Sequence, residues 1–199
     1  MAFPSNLKFT NASLTSITPT LKTRSLSGIE TRSSVASQRF QLQGSFNNLT
    51  DSDDARALFA FLISGSITAI EVPLPNPIGN RGGTNYGTFN VTGNVSAGNT
   101  SLTVGTPSFS SGILAKAGDI IRFSSTHDKL YMLTSDFVVT SFSGTMNIFP
   151  ALTTAITTAD DVNYRNVDMK CRLANDEVAE AINTGRFSSY NVLFDEVVE

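Results

Sequence analysis

Of the side chains most often used as catalytic bases, nucleophiles or soft metal ligands, histidine and cysteine are scarce in this 199-residue chain. His127 is its single histidine and Cys171 its single cysteine. A nucleophilic triad would need His127 as its base, and a site built from several histidines is excluded by the count. Asp119, Asp128 and Asp136 lie near His127 in sequence, but they fall in turn-like stretches, where aspartate is favoured because it hydrogen-bonds nearby backbone amides. The segment GNRGGTNYG, residues 79–87, has the glycine density of a phosphate loop. It lacks Gly-Lys-Ser/Thr, and a strand pattern follows it instead of the helix whose N-terminus would face the phosphate. It reads as a linker. Cys171 reads as a small buried apolar residue, and with no second cysteine an internal disulfide cannot form. The residues thus predict no catalytic site, no metal site and no cofactor.

Binding is the next possibility. Phe123, Tyr131 and Phe142 could stack on a sugar or a base, as aromatics on a small barrel do. Only 16% of the residues are charged and the net charge is -3, so the basic surface that grips nucleic acid is missing. Alternation also places Phe123 with Ile121 on a strand's inner face, which favours core packing. The acids at the C-terminal end, Asp195, Glu196 and Glu199, read as a solvated tail. Their other reading is a negative lining for a channel through which DNA slides.

The elements that must position these residues are mostly strands. Apolar residues make up 40% of the chain, enough for a core, and they come in short runs divided by Gly, Pro and Asn. Residues 1–37 are rich in Ser and Thr and read as an arm or an irregular edge strand. Phe40, Leu42 and Phe46 alternate with polar residues, which makes a half-buried strand. A helix is predicted over 53–63, started by Thr50 or Ser52 with Asp53 and Asp54 at its positive end. It is striped by Ala55, Leu58, Phe59 and Leu62 and stopped at Gly65. A strand over Ile67 to Val72 then meets PLPNPIGNRGG, whose prolines and glycines mark a domain boundary.

Five strands are expected next: Thr88 to Val95, Thr100 to Val104, Asp119 to Ser124, Lys129 to Thr134 and Thr145 to Phe149. Five short strands in about sixty residues suggest a small closed barrel of the OB-fold kind. Further on, Val167, Met169, Cys171 and Leu173 share one strand face, NDEVAEAIN reads as a short helix or extended turn, and Tyr190, Val192 and Phe194 fall in step on a last strand over Phe187 to Glu196. The fold class expected is mainly β: a β-sandwich-like domain with one α-helix, carrying an inserted OB-fold-like five-stranded barrel. The outer domain would comprise residues 1–86 and 157–199, and the barrel residues 87–156. The start of the chain lacks the apolar core of a secretory signal and no run of 18 apolar residues occurs, so a soluble protein made in a cytoplasm is expected, with no membrane insertion.

The stretch AKAGDIIRFSSTHDKLYMLTSDF, residues 115–137, resembles the barrel of phage distal tail proteins of the siphophage type. In that family a Lys-Ala-Gly-Asp turn enters a strand, followed by a short loop with a histidine and a Lys-x-Tyr strand. The matching residues are Lys116, Ala117, Gly118, Asp119, His127, Lys129 and Tyr131. Gly118 would supply a backbone angle forbidden to side chains, and Asp119 would cap the turn. Upstream, a strand, an acidic helix start, ALFAFL and an apolar strand ending in Leu-Pro follow the family's order. Downstream, NIFPAL at 147–152 resembles the strand ending in Tyr-Pro that closes the family barrel. The likeness spans residues 38–173, while the serine-rich first forty residues and NDEVAEAIN depart from it. The resemblance implies a structural virion component, assembled in the host cytoplasm: a homohexameric ring between the tail tube protein and the tail-tip or baseplate hub protein. DNA would pass through its channel without specific binding. The alternative is a carbohydrate-binding module or another tail or baseplate protein that serves host attachment.

Overall fold

The computed structural model describes residues 3–34, 38–49, 52–76, 78, 86–87, 89–124, 127–175, 178, 181–182 and 188–198. Among the described residues the protein is mainly β, with one helix and two principal sheets.

The first sheet contains β1 (Asn11–Ile17), β4 (Arg39–Leu49), β5 (Ile70–Pro73), β14 (Asp168–Leu173), β15 (Ala181–Ile182) and β16 (Ser188–Glu196). Its order is β1-β4-β16-β14-β5, all neighbours antiparallel, with β15 added alongside β16. Period-two alternation turns Phe40, Leu42 and Phe46 of β4, Met169 and Cys171 of β14, and Val192 and Phe194 of β16 to one buried face. Helix α1 (Ser52–Ile67) covers that face with Leu58, Phe61 and Leu62. The Tyr190 hydroxyl donates to Ala55 O across the contact at 3.2 Å.

The helix outruns the 53–63 expected of it. Gly65 does not stop it, because the hydroxyls of Ser64, Ser66 and Thr68 bond back to Phe61 O, Ile63 O and Ser64 O at 2.7, 2.7 and 2.9 Å and hold the last turn closed. Gly65 serves a close approach instead: a Cβ there would stand 2.4 Å from Ile70 Cδ1, where the chain doubles back from helix to strand. Ile67 accordingly ends the helix and does not begin a strand. In the segment read as helix or turn, Ala181–Ile182 pair with β16 as a strand; most of the rest, and Thr50, lie outside the described residues.

The second sheet lies, in sequence, between β5 and β14. It comprises β6 (Phe89–Val91), β7 (Ser101–Gly105), β8 (Ser111–Ala115), β9 (Ile120–Phe123), β10 (Leu130–Leu133), β11 (Phe137–Thr140), β12 (Ser143–Phe149) and β13 (Asp161–Asn163). The order β10-β9-β13-β6-β7-β12 closes on itself because Met132 and Leu133 of β10 pair with Phe149 and Ile148 of β12. The result is a closed barrel of six strands, not five. The five strands expected from the sequence are all in it. The sixth, β13, has three residues, too few to show a period, and it carries the barrel to Asn163, past residue 156. Strands β8 and β11 extend the sheet from the start of β12. Phe89, Phe123, Tyr131, Phe137, Met146 and Ile148 fill the interior.

The first forty residues resolve into two parts. Strand β1 forms an edge of the first sheet, and β2 (Thr20–Arg24) with β3 (Glu30–Ser34) forms a separate two-stranded ribbon.

Candidate functional site

Strands β9 and β10 are a wall shared by two cores. Ile121, Phe123, Tyr131 and Leu133 point into the barrel, whereas Ile120 and Leu130, on the opposite face, belong to the core under the first sheet. The matching residues of the 115–137 stretch, Lys116 to Asp119, His127, Lys129 and Tyr131, lie on this hairpin and on the turn that leads into it.

The turn is built by local hydrogen bonds. Gly118 has φ 89°, in the left-handed region open to glycine, and its amide donates to Leu133 O at 2.8 Å. The Asp119 carboxylate accepts from Lys116 N at 2.8 Å, and Asp136 accepts from Ala117 N at 2.9 Å. Two of the three aspartates near His127 therefore bind backbone amides of a single turn. The third, Asp128, faces the other way, pairing with Arg122 at 3.3 Å and with Lys170 Nζ of β14 at 2.5 Å.

At the centre of the seam stands an ion pair closed to water. Lys129 Nζ donates to Glu196 Oε2 at 2.5 Å, with the two side chains 2% and 0% exposed. The same carboxylate accepts from Phe40 N at 2.8 Å and from Leu130 N at 2.6 Å, and Lys129 Nζ sits 5.0 Å from the centre of the Phe40 ring. One carboxylate thus ties β4 of the first sheet to β10 of the barrel while sitting on β16. Burial lowers the Lys129 pKa from its ordinary value, and the Glu196 charge beside it works in the opposite sense. A charge-assisted pair whose carboxylate takes three donors on its two oxygens holds its neighbours in place; removing either partner would strand the other. Glu196 is therefore not part of a solvated tail or a channel lining. The sequence carried the signal: position 196 continues the inward phase of Tyr190, Val192 and Phe194, so a carboxylate there needs a buried cation.

Arg122 fastens the outer edge of the same seam. Its guanidinium reaches Glu71 of β5 at 3.0 Å and donates to Asp168 O at 3.3 Å, while its Nε donates to His127 O at 3.1 Å. His127 is buried, its ring edge-on to Phe123 with centroids 5.8 Å apart, and among the described residues neither ring nitrogen has a hydrogen-bond partner. Tyr131 lies inside the barrel, where its hydroxyl meets Thr153 Oγ1 at 3.2 Å and accepts from Thr153 N at 3.3 Å; burial raises its pKa. Cys171 is also buried, and burial, joined by the Glu196 charge, pushes its thiol far above the ordinary range. Of the three aromatics weighed for stacking, Phe123 and Tyr131 are core residues and Phe142 is exposed at a turn. Among the described residues no group of three or more His, Cys, Asp or Glu is placed to hold a metal ion, and no helix is long and apolar enough to cross a membrane. Residues 79–85, the greater part of the glycine-rich linker, lie outside the described residues.

Fold and site together define a mainly β protein in which a closed six-strand barrel is riveted to a helix-backed sheet by a buried Lys–Glu pair. No family model matches the chain, and no curated protein is significantly similar to it.

Proposed function

We propose that this chain is a structural component of a bacteriophage tail, a distal tail protein that forms a homohexameric ring between the tail tube and the tail-tip or baseplate hub, with the DNA channel through its centre. In this reading the first sheet with its helix is the sandwich-like ring-forming domain, and the barrel is an OB-fold-like insertion projecting from it. The observation that carries the reading is where the residues of the family likeness sit. Lys129 is half of the buried rivet, Tyr131 is in the barrel core, and Lys116, Gly118 and Asp119 build a turn, which is the work expected of residues in a load-transmitting part. A second support is a patch on the outer face of the first sheet, where the neighbouring side chains of Ser13, Gln43, Ser45 and Asn191 are polar and uncharged and could meet a neighbour in a symmetric assembly. The carbohydrate-binding alternative draws no such support, since two of its three candidate aromatics are enclosed.

Cryo-electron microscopy of the intact particle that carries this chain tests the proposal. The expected result is a sixfold ring of this fold at the lower end of the tail tube, with the barrels outward. Density on a peripheral fibre, or no density for the chain, would overturn it.

A further inference from the structure

Among the described residues, the ribbon of β2 and β3 is the least enclosed part. Every described side chain on both strands is exposed, and a two-stranded ribbon alone is only marginally stable in water. Its register offers little net help: Arg24 stands opposite Glu30, but Lys22 stands directly opposite Arg32, and like charges paired across strands repel. With Arg24 on the same face and Glu30 as the one acid, bridged to Arg32, the ribbon carries three cations against one anion in a chain whose net charge is -3. Its far end is apolar. Leu26 in the turn is fully exposed, and Ile29 beside it is 67% exposed.

Helix α1 presents the complement. The face turned from the core carries Asp53, Arg56, Ala60, Ile63 and Ile67, at helical spacing, all exposed. Asp53 and Asp54 make its first turn acidic, while Ile63 and Ile67 at the other end are 47% and 79% exposed. An acidic end and an apolar end on the helix meet a basic stem and an apolar tip on the ribbon.

We infer that the ribbon of one copy lies along the exposed face of α1 of a second copy, tip on Ile63 and Ile67, cations toward Asp53 and Asp54. This deepens the ring reading, on which it rests, by naming the two surfaces. The contact is head-to-tail, joining different surfaces on the two copies, and such contacts close into a ring when the rotation between copies allows.

Cysteine cross-linking of a Leu26→Cys/Ile63→Cys chain tests the inference, with the oligomeric state measured in parallel by light scattering. Both positions are exposed and Cys171 is buried, so the new thiols are the reactive ones. Mild oxidation is expected to convert the assembled double variant into a ladder of covalent multimers, while either single variant gives no species beyond a dimer. An intact oligomer that forms no ladder would overturn the ribbon-on-helix contact and leave the ring reading standing. A cross-link confined within one chain would also overturn the contact. A strict monomer at high concentration would sink the ring reading and this contact with it.

Discussion

The seam and the ribbon stand at opposite ends of one scale. At the seam, Glu196 gathers three donors from β4 and β10 in a space closed to water, so its strands are held whether or not another molecule is present. At the ribbon, the described side chains all face solvent and two cations, Lys22 and Arg32, sit opposite each other. The difference separates what a chain fixes by folding alone from what it leaves to be fixed by a partner. Polar groups become structural when enclosed and paired, and become contact surface when left exposed and unbalanced.

The comparison breaks most visibly at Glu196. Glu196→Ala leaves the Lys129 ammonium and the Phe40 and Leu130 amides buried without their acceptor, and is expected to cost about 3–5 kcal/mol in urea denaturation. Pairing Lys129→Met with Glu196→Gln removes the charge and leaves one acceptor oxygen, enough for one of the two amides, which bond to different oxygens, and should recover part of that loss.

A smaller loss is expected on β4 at Gly44, where a Cβ would come within 2.4 Å of the Phe9 ring. Gly44→Ala should cost about 1–3 kcal/mol through overpacking, read from the same titration. Gly118 is the contrasting glycine: nothing lies within 4 Å of a Cβ there, but φ is 89°. Gly118→Ala should therefore cost about 1 kcal/mol from backbone strain alone.

Asp168, at the outer edge of the seam, has its pKa raised by burial and then by the Glu71 charge. A carboxyl whose folded pKa lies above its unfolded value gives stability that is complete below the unfolded pKa and is lost as pH rises through the folded one. Asp168→Asn should raise the melting temperature at pH 7, and the gain should vanish as pH falls below the ordinary carboxylate range. The smallest effect belongs to the ribbon: Leu26→Ser should change the stability of the isolated chain by no more than about 0.5 kcal/mol. Self-association should weaken in the same variant, measured by light scattering.

The sequence made the strands legible where apolar residues alternate over five or more positions, as from Phe40 to Phe46 and from Val167 to Leu173, because a half-buried strand has no other way to satisfy both faces. The Lys116–Asp119 turn was equally readable, since glycine and aspartate mark a positive φ and a local acceptor by their types. Strand β13 was not, its three residues being shorter than any period. Nor were β8 and β11, where an exposed cross-strand pair, Ile113 and Val138, disguises the alternation. The helix end misled because Gly65 signals a stop by type, while serine and threonine hydroxyls carry the turn on. The seam was half legible: Lys129 was marked by the resemblance, but its partner lies 67 residues away, and only the phase of β16 shows that Glu196 faces inward.

Amide hydrogen exchange, followed with the chain dilute and then concentrated, tests the contrast most directly. The account predicts slow exchange at Phe40 and Leu130 at every concentration, and fast exchange across residues 20–34 that slows only as the chain self-associates. Ribbon amides already protected in the dilute chain, or still unprotected in a formed oligomer, would contradict it.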